Sequence, residues 1–163
     1  MGKIGSRTAQ LLHAFGAKVL AQSRSVHADA PAYVSQVSQE ELLSSSDIVI
    51  LHCPLNADTK GMIDGEKLRR MKPSALLINV ARGPVVVEED LARALKEGVI
   101  AGAGIDVFDI EPPLPVDHPL LTAPGALVTP HVAFATKESM LLRADIVFDN
   151  LRAWLNKAPQ NTV

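Results

Sequence analysis

The spacing of apolar side chains along this chain switches repeatedly between the period of a helix and the short runs of a buried strand. Ile4, Thr8, Leu11, Leu12 and Phe15 share one helical face that stops at Gly16, and KVLAQS (18–23) follows at once as a strand-like run. The same order returns. SQEELL, with Ser38 and Glu41 spaced as a capping box, predicts a short helix before the strand DIVILH (47–52). A helix from about Gly65 to Met71 leads into ALLINV (75–80). EEDLARALKEG (88–98) is acidic at its start and ends on Lys96 and Gly98, which suits the helix dipole and the preferred C-terminal stop. IAGAGIDV (100–107), with glycines where neighbours would approach closely, and ALVTP (126–130) complete the strands. A closing helix is expected from about Lys137 to Lys157, with Thr136 as N-cap and Trp154 packed into the core.

Regular alternation of short strands with helices implies parallel strands joined by right-handed crossovers. The expected fold is therefore α/β, a doubly wound parallel sheet of Rossmann-like form covered on both faces, in one domain over 1–163. The Pro-rich stretch DIEPPLPVDHPLLTAPGA (109–126) is the long irregular segment, and such loops inside compact domains tend to carry function.

Composition narrows the class of partner. With 47% hydrophobic and 21% charged residues the chain reads as globular, and 16 basic against 18 acidic residues leave a net charge of -2 without a basic stripe. Neither nucleic acid nor a membrane surface is an expected partner. Runs such as IVIL and ALLI are far shorter than the roughly 18 residues of a membrane span, and no charged-then-apolar leader opens the chain, so a cytoplasmic location is expected. The one cysteine, Cys53, has no metal-ligand spacing around it, and no metal is expected.

In an open parallel sheet, ligands sit beyond the carboxyl ends of the strands. The residues that follow the predicted strands are Ser23-Arg24, Cys53-Pro54, Arg82-Gly83, Asp106 with Glu111, and His131. Gly2 and Gly5 have the spacing of the second and third glycines of G-x-G-x-x-G, the turn that brings a helix N-terminus to a pyrophosphate, although an ordinary helix N-terminal turn explains them too. Ser23 stands 18 residues after Gly5, close to where such folds place an acidic residue on the ribose 2′-hydroxyl. A hydroxyl beside Arg24 removes the repulsion of a 2′-phosphate and supplies a fork for it, which favours NADP; an exposed loop arginine is the plainer account. Arg82, Glu111 and His131 together suit reduction of a 2-keto acid. His131 would protonate the oxygen, Glu111 would raise the histidine pKa and fix its tautomer, and Arg82 would grip the acid and polarise the carbonyl. Singly, Glu111 also fits a solvated loop and His131 the cap of a strand.

The blocks GKIG, SDIVILHCPLNADTKGMID, MKPSALLINVARGPVV, GAGIDVFDIEPP and LVTPHVAFATKES, in that order, resemble the D-isomer-specific 2-hydroxyacid dehydrogenases over nearly the whole chain. The resemblance implies that Arg82 is the substrate-binding arginine, Glu111 the pKa-setting glutamate and His131 the proton donor. It implies that Gly2, Lys3, Ile4 and Gly5 meet the pyrophosphate, that Cys53, Pro54 and Thr59 line the cofactor groove, and that Asp106 binds the nicotinamide carboxamide. Val80, Ala81, Arg82, His131 and Ala133 complete the cofactor-binding set it implies, for NAD or NADP. The ending HPLLTAPGALVTPHVAFATKESMLLRADIVFDNLRAWLNKAPQNTV is most similar to the glycerate dehydrogenase (hydroxypyruvate reductase) branch, with the phosphoglycerate and D-lactate dehydrogenases as alternatives. Ser23 departs from the usual acid, and Val87 stands where an acid is common.

The resemblance also implies a homodimer and a separate substrate domain, formed mostly by about a hundred preceding residues. Met1 reads as an internal methionine of a G-M-G-K-I-G turn, so the expected object is a cofactor domain truncated before its first, central strand. A central strand carries ladder hydrogen bonds at about 1 kcal/mol each and a few buried side chains at about 1.5–3 kcal/mol each, so the expected stability is marginal. By itself the piece is expected to be inactive, since catalysis needs held substrate and excluded water. The reading from a different class is a dinucleotide-sensing interaction module without turnover.

Overall fold

The computed structural model of the protein describes residues 2–25, 30–111 and 113–162. They fall into two compact units, Met1–Pro130 and His131–Val163.

The first unit alternates strand and helix as the periodicity predicts. Helix α1 (Lys3–Ala14) ends at Phe15 and Gly16, the latter at φ +86°, a backbone angle that glycine adopts without strain. Strands β1 (Val19–Ala21) and β2 (Val34–Gln36) follow, then α2 (Gln39–Ser45), β3 (Ile48–Leu51), α3 (Gly65–Arg70), β4 (Leu76–Asn79), α4 (Glu88–Lys96), β5 (Gly102–Ile105) and β6 (Ala126–Val128). Single 3₁₀ turns lie at Gly83–Val85 and Pro119–Leu121. Start signals act as read: Ser38 Oγ accepts from the Glu41 amide, and Asp64 caps α3 by accepting from the Lys67 amide. Strand β2 escapes the sequence reading, because three residues with one buried side chain, Val34, give no period to detect.

All strand pairings are parallel, and they form two sheets, β1-β2 and β3-β4-β5-β6. Among the described residues β1 and β3 do not pair with one another. The core is correspondingly unequal. Leu43, Val49, Leu51, Ile63, Leu68, Leu77, Leu91, Ile105, Phe108 and Leu120 belong to one continuous cluster around the four-stranded sheet. Around β1 and β2 the cluster is Ala9, Val19, Ala21 and Val34, with Leu12 and Tyr33 against it and His13 stacked on Tyr33 at 4.2 Å. Of the apolar face read on α1, Ile4, Leu11 and Phe15 stay exposed. The close approach expected in β5 is present: a Cβ at Gly102 would meet the Gly125 carbonyl oxygen at 2.9 Å.

The second unit contains α5 (Lys137–Leu155), entered through a capping box in which Thr136 Oγ1 accepts from the Ser139 amide and Ser139 Oγ from the Thr136 amide. Its end falls two residues before the expected Lys157. No described residue of α5 is buried, and Trp154 is 68% exposed. The expectation of core packing for Trp154 is therefore wrong: α5 is apolar on more than one side, and a single tryptophan on such a helix does not show which side is covered. No helix among the described residues is long and apolar enough to cross a membrane.

Candidate active site

The turns that follow the strands of the first unit are built by buried polar groups. Asn79, the last residue of β4, is 1% exposed; its amide accepts from the Ala81 N–H at 3.1 Å and donates to the Arg82 carbonyl at 3.0 Å. One side chain thus shapes the Val80-Ala81-Arg82 turn. Arg82 is exposed, and its guanidinium donates to the Ala81 carbonyl at 2.6 Å. Gly83 next to it has no room for a side chain, since a Cβ there would lie 1.9 Å from the Phe108 carbonyl carbon and 2.4 Å from the Asp109 nitrogen. The arginine turn therefore sits directly on the backbone of 108–109, which leads to the exposed Glu111. Asp106, at the end of β5, is buried and accepts from the Thr129 hydroxyl at 2.5 Å.

Against the Asp109 backbone lies a buried pair that sequence reading missed. Glu88 opens α4 and His118 lies midway along the Pro-rich segment, and their side chains meet at 3.0 Å (Nε2 to Oε2) while only 8% and 9% exposed. The other carboxylate oxygen of Glu88 accepts from the Asp109 amide at 2.8 Å. Val87, the N-cap position where the family resemblance expects an acid, makes no side-chain cap. Burial, reinforced by the nearby Asp109 charge, pushes the Glu88 pKa up, against the pull of the Asp109 amide and His118. Burial and the Glu89 charge likewise raise Asp109.

A raised carboxyl means that the folded chain holds this proton to higher pH than the unfolded chain does. Its contribution to stability is complete below the ordinary carboxyl range and is lost as pH rises through the raised value. Relative to Glu88→Gln, which cannot titrate there, wild type should lose stability from about pH 4 upward and then level off. Denaturant midpoints of both proteins across that range are the check, and a difference that stays flat would contradict the assignment.

On the nucleotide side, Gly2 is the N-cap of α1, and Lys3, Ile4 and Gly5 form its first turn, which contains no acidic residue. A Cβ at Gly5 would stand 3.7 Å from the ring of His52, so the start of α1 lies against the residue that follows β3. The His52 Nε2 is buried without a hydrogen-bond partner, and desolvation lowers its pKa. Beyond it, Cys53 is half-buried with its thiol pKa raised by burial. Thr59 is buried, and its hydroxyl donates to the Pro54 carbonyl at 2.6 Å, which closes the turn over Asn56. Ser23 is half-buried and donates to the Ser25 carbonyl at 2.7 Å; Arg24 is exposed. A helix start free of acid, an open arginine and a carboxylate at the sheet rim are donors and acceptors that suit an anionic dinucleotide.

His131 opens the second unit and is described with it. Its φ of +56° lies in the left-handed region, an uncommon backbone for a residue with a side chain, and such strain collects at functional sites. Its ring stands edge-on to Phe134 at 6.0 Å between centroids, and Arg143 lies over the Phe134 ring at 5.4 Å. Ala133 is exposed between them in sequence. No group of three or more His, Cys, Asp or Glu side chains among the described residues is arranged to hold a metal ion.

Residues 1–133 match the family model described as "D-isomer specific 2-hydroxyacid dehydrogenase, NAD binding domain". The chain is 45% identical over 165 residues to a glycerate dehydrogenase of Methylorubrum extorquens, with 99% of this chain and 50% of the relative covered. It is 40% identical over 166 residues to a hydroxypyruvate reductase of Blautia hydrogenotrophica, with the same 99% and 50% covered. Among solved structures it is similar to D-lactate dehydrogenase with NAD+ from Lactobacillus jensenii, at TM-score 0.92 and 34% identity, over all of this chain and 53% of that one. A second is an acyclic imino acid reductase in complex with NADPH and D-Arg, at TM-score 0.90 and 32% identity, over 99% and 51%. The chain spans about half the length of the curated relatives it matches.

Proposed function

Because the chain belongs to the D-isomer-specific 2-hydroxyacid dehydrogenases through their NAD-binding domain, we propose that it is the cofactor half of an oxidoreductase that reduces hydroxypyruvate to D-glycerate and glyoxylate to glycolate. When bound, the nicotinamide supplies or takes the hydride. The first turn of α1 receives the pyrophosphate on its free N–H groups, and the buried Asp106, oriented by Thr129, accepts from the carboxamide. Arg82 holds the substrate carboxylate in two parallel hydrogen bonds and polarises the keto oxygen. His131 delivers the proton to that oxygen, and Glu111 is the carboxylate that orients its imidazole. The observation that carries the reading is the Arg82 turn, fixed by Asn79 and seated on the backbone that leads from Asp106 to Glu111.

The enzyme acts as a cytoplasmic homodimer in this reading, and the 163 residues assayed alone turn over no 2-keto acid at a useful rate. Its test is NADH and NADPH oxidation with hydroxypyruvate or glyoxylate by the two-domain enzyme that contains this half. Turnover of either acid supports the reading; none with either acid or cofactor overturns it.

Ser23-Arg24 favours NADPH. Loss of a charged hydrogen-bonding fork from a phosphate costs about 1.5–3 kcal/mol, so Arg24→Ala should weaken NADPH by roughly 10- to 100-fold and NADH by little. Dissociation constants from nicotinamide fluorescence read both, and equal losses for the two cofactors would remove the 2′-phosphate role.

A further inference from the structure

The Glu88 and His118 pair is buried, hydrogen-bonded and left without a task by the reading of the rim. A carboxylate removed from water is costly unless both its oxygens are used, and here both are. One accepts from the Asp109 amide at 2.8 Å and the other faces His118 Nε2 at 3.0 Å. Those two partners are the two ends of one loop, 109–118, and Glu111 lies within it. The histidine is committed at its other nitrogen as well, since His118 Nδ1 accepts from the Leu120 amide at 3.4 Å. That fixes Nε2 as the protonated nitrogen, pointing its N–H at Glu88. The ring is further wedged edge-on against Phe108 at 5.5 Å, the residue on which Gly83 sits.

From this geometry we infer that Glu88 and His118 are positioning residues: a single carboxylate at the start of α4 staples both ends of the loop that carries Glu111 and so holds that glutamate in register with the Arg82 turn. The inference rests on the reading of Glu111 as the carboxylate that sets the proton donor. Without the staple the two ends of this ten-residue, Pro-rich stretch lose their shared anchor, and Glu111 is held less closely in register. A site residue carried on a loop needs such support to stay within the small displacement that catalysis tolerates.

The test separates the staple from the reading it serves. In the labelled wild-type chain, ring-nitrogen spectra should show His118 protonated at Nε2, and amide exchange at Asp109 should be slow. Glu88→Gln leaves one acceptor for two donors, so amides of the 109–118 loop should exchange about ten-fold faster while Leu77 and Ala103 in the sheet keep their rates. His118→Leu should do the same, and His118→Gln, which keeps a donor at the Nε2 position, should restore slow exchange. In the two-domain enzyme, Glu88→Gln and His118→Leu should lower kcat with cofactor KM unchanged, and His118→Gln should recover kcat. Exchange that accelerates evenly through the chain, or a His118→Gln variant no better than His118→Leu, overturns the staple. If loop exchange responds as expected but Glu111→Gln leaves kcat untouched, the staple stands as structure and the reading of Glu111 falls.

Discussion

Replacing Gly83 with alanine should destabilise the first unit by about 3 kcal/mol or more, at the upper end of what overpacking costs, because the added methyl has nowhere to go. Its carbon would sit 1.9 Å from the Phe108 carbonyl carbon and 2.1 Å from its oxygen, and both are backbone atoms that no rotamer change can move. The two segments in contact follow neighbouring strands, β4 and β5, whose register is set by ladder bonds from Leu76 and Gly102 onward. Relief therefore requires one turn to leave the other, and the buried Asn79 and Glu88 bonds would go with it. For a domain of this size that loss corresponds to roughly 6–12 °C in Tm. Gly2→Ala is the control, since a Cβ there meets nothing within 4 Å. A scanning calorimetry pair in which the two variants melt together would show that the Arg82 turn and the Phe108 backbone are not in contact.

His131→Gln should lower kcat of the two-domain enzyme by about 10²- to 10⁴-fold, the range that general acid catalysis contributes, while NADH binding stays within a few-fold. Glutamine fills a similar space and still donates a hydrogen bond, but it cannot transfer a proton near neutral pH. The uncommon backbone of His131, at φ +56°, makes the choice of variant matter, since a β-branched replacement would add strain of its own. Single-turnover hydride transfer measured together with the cofactor dissociation constant separates chemistry from binding. A kcat within about ten-fold of wild type would remove His131 as the proton donor.

How far the molecule could be read in advance depended on where each feature keeps its information. Runs such as Ile48–Leu51 and Leu76–Asn79 are short, apolar and bounded by helices, so the order of elements follows from local period alone. Arg82, Glu111 and His131 are nominated as candidates by their place after the strands and by the blocks around them. Glu88 and His118 were invisible, because nothing in a sequence marks an acid on α4 and a histidine 30 positions away as a buried pair. A histidine before the Pro119-Leu120 turn was the one local sign, and it reads equally well as a surface cap. Asn79 was hidden for a similar reason: it completes an apolar run, while its task is to bond the turn that follows.

The four-stranded ladder also governs the order of events when this chain folds. Leu76 pairs with Ile48 and with Gly102, and Ala103 with Ala126, so neighbouring strands are brought together from 23 to 28 positions apart. None of these contacts can form as a local hairpin, and each requires a whole crossover to close first. A topology made of such long closures folds slowly for its length. Until Leu77 and Ala103 meet on adjacent strands, the apolar faces of β3, β4 and β5 have no cover. In that state a freshly made chain presents apolar strands and unpaired edges to other chains, the condition under which misassociation competes with folding.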